Sequence, residues 1–99
     1  MTRFLIVDDH PLFREALQSA VRMAHADAEV FEATSIEGAI DVAAAHRDLD
    51  LALLDLSLPG TSGFSGLVRF RSAHPKLPVV VVSGHEEVEL VAEAMSLGI

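Results

Sequence analysis

The chain has no cysteine. That excludes a disulfide framework, a thiolate metal centre and a cysteine nucleophile, and it is compatible with a cytoplasmic location. Basic residues are scarce: seven lysines and arginines stand against fifteen aspartates and glutamates, for a formal net charge of −8. This balance favours solubility and argues against the segment itself gripping a nucleic-acid backbone or an anionic membrane. No apolar run approaches the ~18–20 residues of a membrane span. The apolar stretch Phe4-Leu5-Ile6-Val7, just behind Met1-Thr2-Arg3, is too short for the core of a signal peptide. Linkers, repeats and low-complexity stretches are also missing. What is present is 99 residues, 51% of them apolar, which is enough to build one small domain with a real core.

Apolar runs alternate with helical patterns along the chain. Phe4-Leu5-Ile6-Val7 reads as a buried strand. Pro11 suits the first position of a helix. From there to Ala26, Leu12, Phe13, Ala16, Leu17, Ala20, Val21 and Ala24 fall on one face. Glu29-Val30-Phe31-Glu32-Ala33 alternates and reads as a short edge strand. Thr34 with Glu37 matches a capping box, opening a second helix through Ile36, Ala39, Ile40 and Ala43 to near His46. Leu51-Ala52-Leu53-Leu54 is a further apolar run ending at Asp55, and Leu58-Pro59-Gly60-Thr61-Ser62-Gly63 is turn chemistry. A third helix is expected over Ser65 to Ala73, with Leu67 and Phe70 inward. Val79-Val80-Val81-Val82, wholly β-branched, predicts a strand buried on both faces. A fourth helix should open on Glu86, Glu87 and Glu89, bury Val88, Val91, Ala92 and Met95, and close at Gly98.

The βαβαβαβα pattern argues for an α/β fold with a parallel sheet and helices on both faces. Right-handed crossovers leave few topologies, among them the flavodoxin-like order. In the order 2-1-3-4, with no fifth strand after the fourth helix, the valine run becomes an apolar edge. Such an edge points to a fragment of a longer chain, a further tail, or pairing with another chain or fused segment, as a dimer or by strand exchange.

Polar residues follow three of the apolar runs: Asp8-Asp9, Asp55 and Ser83. In a parallel sheet these positions converge on one crevice at the carboxyl ends of the strands. Taken singly, Asp8 or Asp9 reads as a cap for the helix near Pro11, and Ser83 as a cap for the fourth helix. Asp55 is harder to assign that way, since turn residues separate it from the next helix. Taken jointly, the residues read as a functional pocket. Carboxylates brought together repel unless a cation intervenes, and an oxygen-only set suits a hard ion such as Mg²⁺. A carboxylate can also act as a covalent nucleophile, forming an aspartyl phosphate.

Three ordered blocks carry a family resemblance. The segment Phe4-Leu5-Ile6-Val7-Asp8-Asp9-His10-Pro11-Leu12-Phe13-Arg14 resembles the opening of response regulator receiver domains, its later part especially the NarL/FixJ group. Leu53-Leu54-Asp55-Leu56-Ser57-Leu58-Pro59-Gly60, with Gly63, is similar to the block around the phosphorylated aspartate, and Val81-Val82-Ser83-Gly84 to the strand carrying the switch hydroxyl. The resemblance covers nearly the whole chain and identifies residues 1–99 as a CheY-like receiver lacking the expected fifth strand and fifth helix.

The resemblance implies roles residue by residue. Asp8, Asp9, Asp55 and the backbone carbonyl of Ser57 would hold Mg²⁺. Asp55 would accept a phosphoryl group from a histidine kinase or phosphotransfer protein, and Ser83 would turn toward it. Ser57 and His85 would tune the lifetime of the acyl phosphate. The implied function is a cytoplasmic two-component phosphoacceptor rather than a turnover enzyme. In the parent protein it would control transcription through a C-terminal DNA-binding domain, with no DNA binding by this segment. A phosphorylation-independent interaction module is the alternative.

The family's lysine and aromatic switch residue on the fifth strand have no counterpart here. Lys76 lies before the fourth strand, and Gly84 replaces the commoner alanine. A Mg²⁺-dependent phosphatase is disfavoured because Ser57, not a second aspartate, stands two residues after Asp55. His10 reads as a solvent-facing loop residue, and His25, His46 and His74 as solvated or dipole-favoured imidazoles near helix ends.

Overall fold

A computed structural model describes residues 2–55 and 65–82. The elements run β1 (Arg3–Val7), α1 (Pro11–Ala24), β2 (Glu29–Ala33), α2 (Ile36–Ala45), β3 (Leu51–Asp55), α3 (Ser65–Ala73) and β4 (Val79–Val82). The strands form one parallel sheet in the order β2-β1-β3-β4. This is the flavodoxin-like arrangement expected from the alternating pattern.

The near-continuous apolar runs of β1 and β3 follow from their central places, where both faces must be covered. Alternate side chains enter two separate cores. Phe4, Ile6, Leu51 and Leu53 pack with Phe13, Leu17 and Val21 of α1. Leu5, Val7, Ala52 and Leu54 pack with Ile36, Ala39 and Ala43 of α2 and Phe70 of α3. The sheet is thus sandwiched between α1 on one face and α2 with α3 on the other, and both central strands are pinned in register from both sides. On α3, Phe70 is buried and Leu67 packs at the rim of the second core, as its spacing predicts.

Several expectations need correction. Leu12 is 80% exposed. The buried stripe of α1 is Phe13, Leu17, Ala20 and Val21, and Leu12, about 100° round the helix from Phe13, falls off its edge. The helix stops at Ala24 rather than Ala26, where His25 leaves helical geometry while its N–H still reaches the Val21 carbonyl. The cap of α2 is Ser35, not Thr34: Ser35 is extended, and its Oγ accepts from the Gly38 N–H at 3.0 Å. Glu37 instead pairs with Arg69 of α3 at 2.7 Å.

Neither Asp8 nor Asp9 caps α1, whose N-cap residue is His10 without a side-chain cap bond. Of the valine run only Val82 is buried; Val79, Val80 and Val81 are half-exposed. The cause is position, since among the described residues β4 pairs with β3 alone.

The three histidines at helix ends are half-buried rather than freely solvated. His25 tilts against Phe4, His46 stacks on Phe31 at 4.0 Å, and His74 tilts against Phe70. The expected fourth helix, the turn at 58–63, and Ser57, Ser83, Gly84 and His85 lie outside the described residues.

Candidate acidic site at the carboxyl edge of the sheet

The chain turns to one side of β1 to form β2 and to the other side of β3 to form β4. That divergence opens a crevice between the carboxyl ends of β1 and β3, the usual ligand position in open parallel sheets. Val7 lies opposite Leu54 in the ladder, so Asp8, the residue just past β1, comes level with Asp55. The sequence-predicted pair, 47 positions apart, is brought together by register alone.

Asp8 is fully buried and Asp55 only 3% exposed. Asp9 is half-buried beside them. Asp8, Asp9, His10 and Asp55 each place one ligand-type atom within 4.8 Å of the others. The loop after β1 holds this geometry through its backbone. The Asp8 N–H donates to the Ala33 carbonyl at 3.0 Å, continuing the β1–β2 ladder. The His10 N–H donates to Asp8 Oδ1 at 2.7 Å. Arg14, one turn into α1, donates from Nη1 to the Asp8 carbonyl at 3.0 Å and pairs through Nε with Glu32 of β2 at 3.1 Å. The Asp8 backbone is therefore clamped from both neighbouring elements while its carboxylate faces the crevice.

The carboxylates are under-compensated. Asp8 Oδ2 and Asp9 Oδ1 are buried and accept no hydrogen bond. Burial pushes the Asp8 carboxyl above its usual range; the His10 backbone hydrogen bond opposes that rise, and the Asp55 charge adds to it. The His10 imidazole stands beside them, its Nδ1 3.1 Å from Asp9, 3.3 Å from Asp8 and 3.8 Å from Asp55. That side chain is 61% exposed, as expected of a loop residue, but its ring nitrogen turns toward the acids.

Buried anionic oxygens without donors are costly unless a proton or cation meets them. The donor set is dominated by carboxylate oxygen, so it fits a hard divalent cation. Sequence reasoning placed His10 in a loop but not its ring nitrogen toward the acids, and it gave Arg14 no role. Both stand in the Asp-Asp-His-Pro-Leu-Phe-Arg block, but Asp55 comes within reach of His10 only once β3 lies beside β1, and Glu32 within reach of Arg14 only once β2 does.

Comparison with known proteins agrees with this architecture. Residues 4–99 match the response regulator receiver domain family. The chain belongs to that family, within the two-component response regulators. Among curated relatives it is 41% identical over 98 residues to the glycerol metabolism activator of Pseudomonas putida, covering 99% of this chain and 44% of the relative. It is 39% identical over 85 residues to the nitrate/nitrite response regulator protein NarL of Escherichia coli K12, covering 84% of this chain and 39% of that one. The chain thus spans less than half the length of these relatives. Among solved structures, a LuxR family DNA-binding response regulator from Silicibacter pomeroyi aligns with a TM-score of 0.71 and 30% identity, over 96% of this chain and 73% of that one. Among the described residues, no helix is long and apolar enough to cross a membrane.

Proposed function

We propose that this receiver domain is a Mg²⁺-dependent phosphoacceptor, with Asp55 taking the phosphoryl group. The carrying observation is the convergence of Asp8, Asp9 and Asp55 at one strand edge, where Asp8 Oδ2 and Asp9 Oδ1 are buried and accept no hydrogen bond. Mg²⁺, when bound, would neutralise the acidic cluster and the charge on the transferring phosphoryl group. Asp8, Asp9, Asp55 and the Ser57 carbonyl would hold it.

Asp55 is the nucleophile. One carboxylate oxygen attacks phosphorus, the bond to the donor's phosphohistidine nitrogen breaks, and the imidazole leaves with the bond's electron pair. An acyl phosphate on Asp55 results. Asp55 itself is consumed in each round, so the domain acts as a switch rather than a turnover enzyme.

Ser83 is the hydroxyl assigned to bind the phosphoryl oxygens, and its reorientation biases a pre-existing two-state equilibrium. The donor is a histidine kinase or phosphotransfer protein. The output is transcriptional, through a DNA-binding domain of the parent protein, as the DNA-binding name of the Silicibacter pomeroyi regulator suggests. Residues 1–99 form the receiver unit of that cytoplasmic protein, with no DNA affinity of their own.

Intact mass after incubation with a small-molecule phosphodonor tests the reading on a chain extended to the relatives' receiver length. One phosphoryl addition is expected with Mg²⁺, and none with chelator or in Asp55→Asn. No addition under any condition would indicate instead a phosphorylation-independent interaction module. An addition that survives Asp55→Asn would refute the assignment of the nucleophile.

A further inference from the structure

A groove of about 360 Å³ lies at the opposite, amino end of the sheet, where the C-termini of α2 and α3 meet the loops entering β3 and β4. That volume is in the range of small-ligand sites. Its lining includes Leu49 and Leu77, which pack at the rim of the second core, and four basic-type side chains: His46, Arg47, His74 and Lys76.

The imidazoles are fixed in place. His46 stacks on Phe31 at 4.0 Å, and His74 Nε2 lies 3.0 Å from the Ile40 carbonyl, which only accepts, so that nitrogen carries a proton. Arg3, Arg14 and Arg69 each reach a carboxylate, whereas Arg47 and Lys76 form no ion pair among the described residues. The acidic residues next to Arg47 in the chain are engaged elsewhere: Asp48 pairs with the Arg3 guanidinium and Asp50 accepts from the Arg3 N–H.

Cations at helix C-termini complement the dipole, which accounts for a basic side chain at each end taken singly. Two such ends meeting over one concave, partly apolar floor produce a cationic groove on a chain of net charge −8.

We propose that this groove is a second ligand site, separate from the acidic crevice, for a small anion with an apolar body: a phosphate or carboxylate head between Arg47 and Lys76, and hydrocarbon against Leu49 and Leu77. The volume and partial enclosure favour a small molecule over a protein surface.

The test is an amide chemical-shift titration of the 99-residue chain with phenyl phosphate, without Mg²⁺ so that the acidic crevice takes no part. Saturable shifts are expected at His46, Arg47, Leu49 and Leu77, with inorganic phosphate weaker for lack of the apolar body. The double variant Arg47→Ala/Lys76→Ala, exposed positions whose loss leaves the fold intact, should weaken binding by about tenfold or more. Arg71→Ala, which removes a cation outside the groove, should leave it unchanged. Unsaturated shifts spread equally over Arg22 and Arg71 would overturn the proposal, as would undiminished binding by the double variant. A short poly-glutamate peptide shifting the same amides more strongly than phenyl phosphate would also overturn it, in favour of a protein partner.

Discussion

Replacing Asp8 by asparagine separates the charge of this residue from its shape. In the folded chain Asp8 is fully buried, Oδ1 accepts from the His10 N–H and Oδ2 accepts nothing. Asparagine keeps the first bond and turns an NH₂ toward the neighbouring carboxylates. A buried acceptor left unsatisfied costs about 1–3 kcal/mol. Asp8→Asn should therefore stabilise the chelator-treated protein at neutral pH by about 1–2 kcal/mol, or roughly 4–15 °C in Tm for a domain of this size.

The pH dependence has a definite sign. The folded carboxyl of Asp8 lies above its ordinary value because of burial, then the Asp55 charge, against the His10 hydrogen bonds. The folded state holds the proton more tightly, so this contribution is fully present below the ordinary carboxylate pKa. It is lost as pH rises through the elevated one. The advantage of Asp8→Asn should accordingly shrink on acidification.

On the proposed cation site, adding Mg²⁺ should reverse the order, since a ligand at a hundred times its Kd stabilises by about 2.7 kcal/mol and the variant lacks one of the proposed carboxylates. Thermal unfolding followed by circular dichroism, in chelator and in excess Mg²⁺, reads both effects. A variant less stable than wild type in chelator, or stabilised by Mg²⁺ to the same extent, would refute the reasoning.

Other substitutions test the packing that holds the site. Ser35→Ala removes the cap of α2 and should cost about 1 kcal/mol in denaturant unfolding, while Thr34→Ala should cost less than about 0.5 kcal/mol. Phe70→Ala empties the core position under α3 and should cost about 3–5 kcal/mol, enough to leave little folded protein by circular dichroism at 37 °C. Leu12→Ser should stay within about 0.5 kcal/mol of wild type because the side chain is already in water; a core-sized loss would restore it to the buried face.

The architecture was legible in the chain because its strongest signals are physical necessities. Strands covered on both faces must be apolar throughout, and Phe4-Leu5-Ile6-Val7 and Leu51-Ala52-Leu53-Leu54 are. Once such strands are parallel, the residues just beyond them share one edge, so the meeting of Asp8 with Asp55 follows without knowledge of any side-chain contact.

The misplaced details are those decided by small local differences or by distant neighbours. Thr34 and Ser35 carry the same capping chemistry, and only backbone geometry selects the second. Leu12 sits next to the buried stripe in sequence but off it in angle. The pairing of Arg14 with Glu32 needs β2 beside β1, and His25 and His46 need phenylalanines from β1 and β2. Ser57 and Ser83 rest on the family motif, since they lie outside the described residues.

Paramagnetic broadening by Mn²⁺ in an amide correlation spectrum probes the shared cation site most directly, since the effect falls steeply with distance from the ion. Substoichiometric Mn²⁺ should erase the signals of Asp8, Asp9, His10 and Asp55 together and first. Excess Mg²⁺ should restore them, and Asp55→Asn should weaken the effect at both strand tips at once. Broadening confined to one strand tip, or undiminished when Asp55 loses its charge, would contradict a single cation held jointly by the ends of β1 and β3.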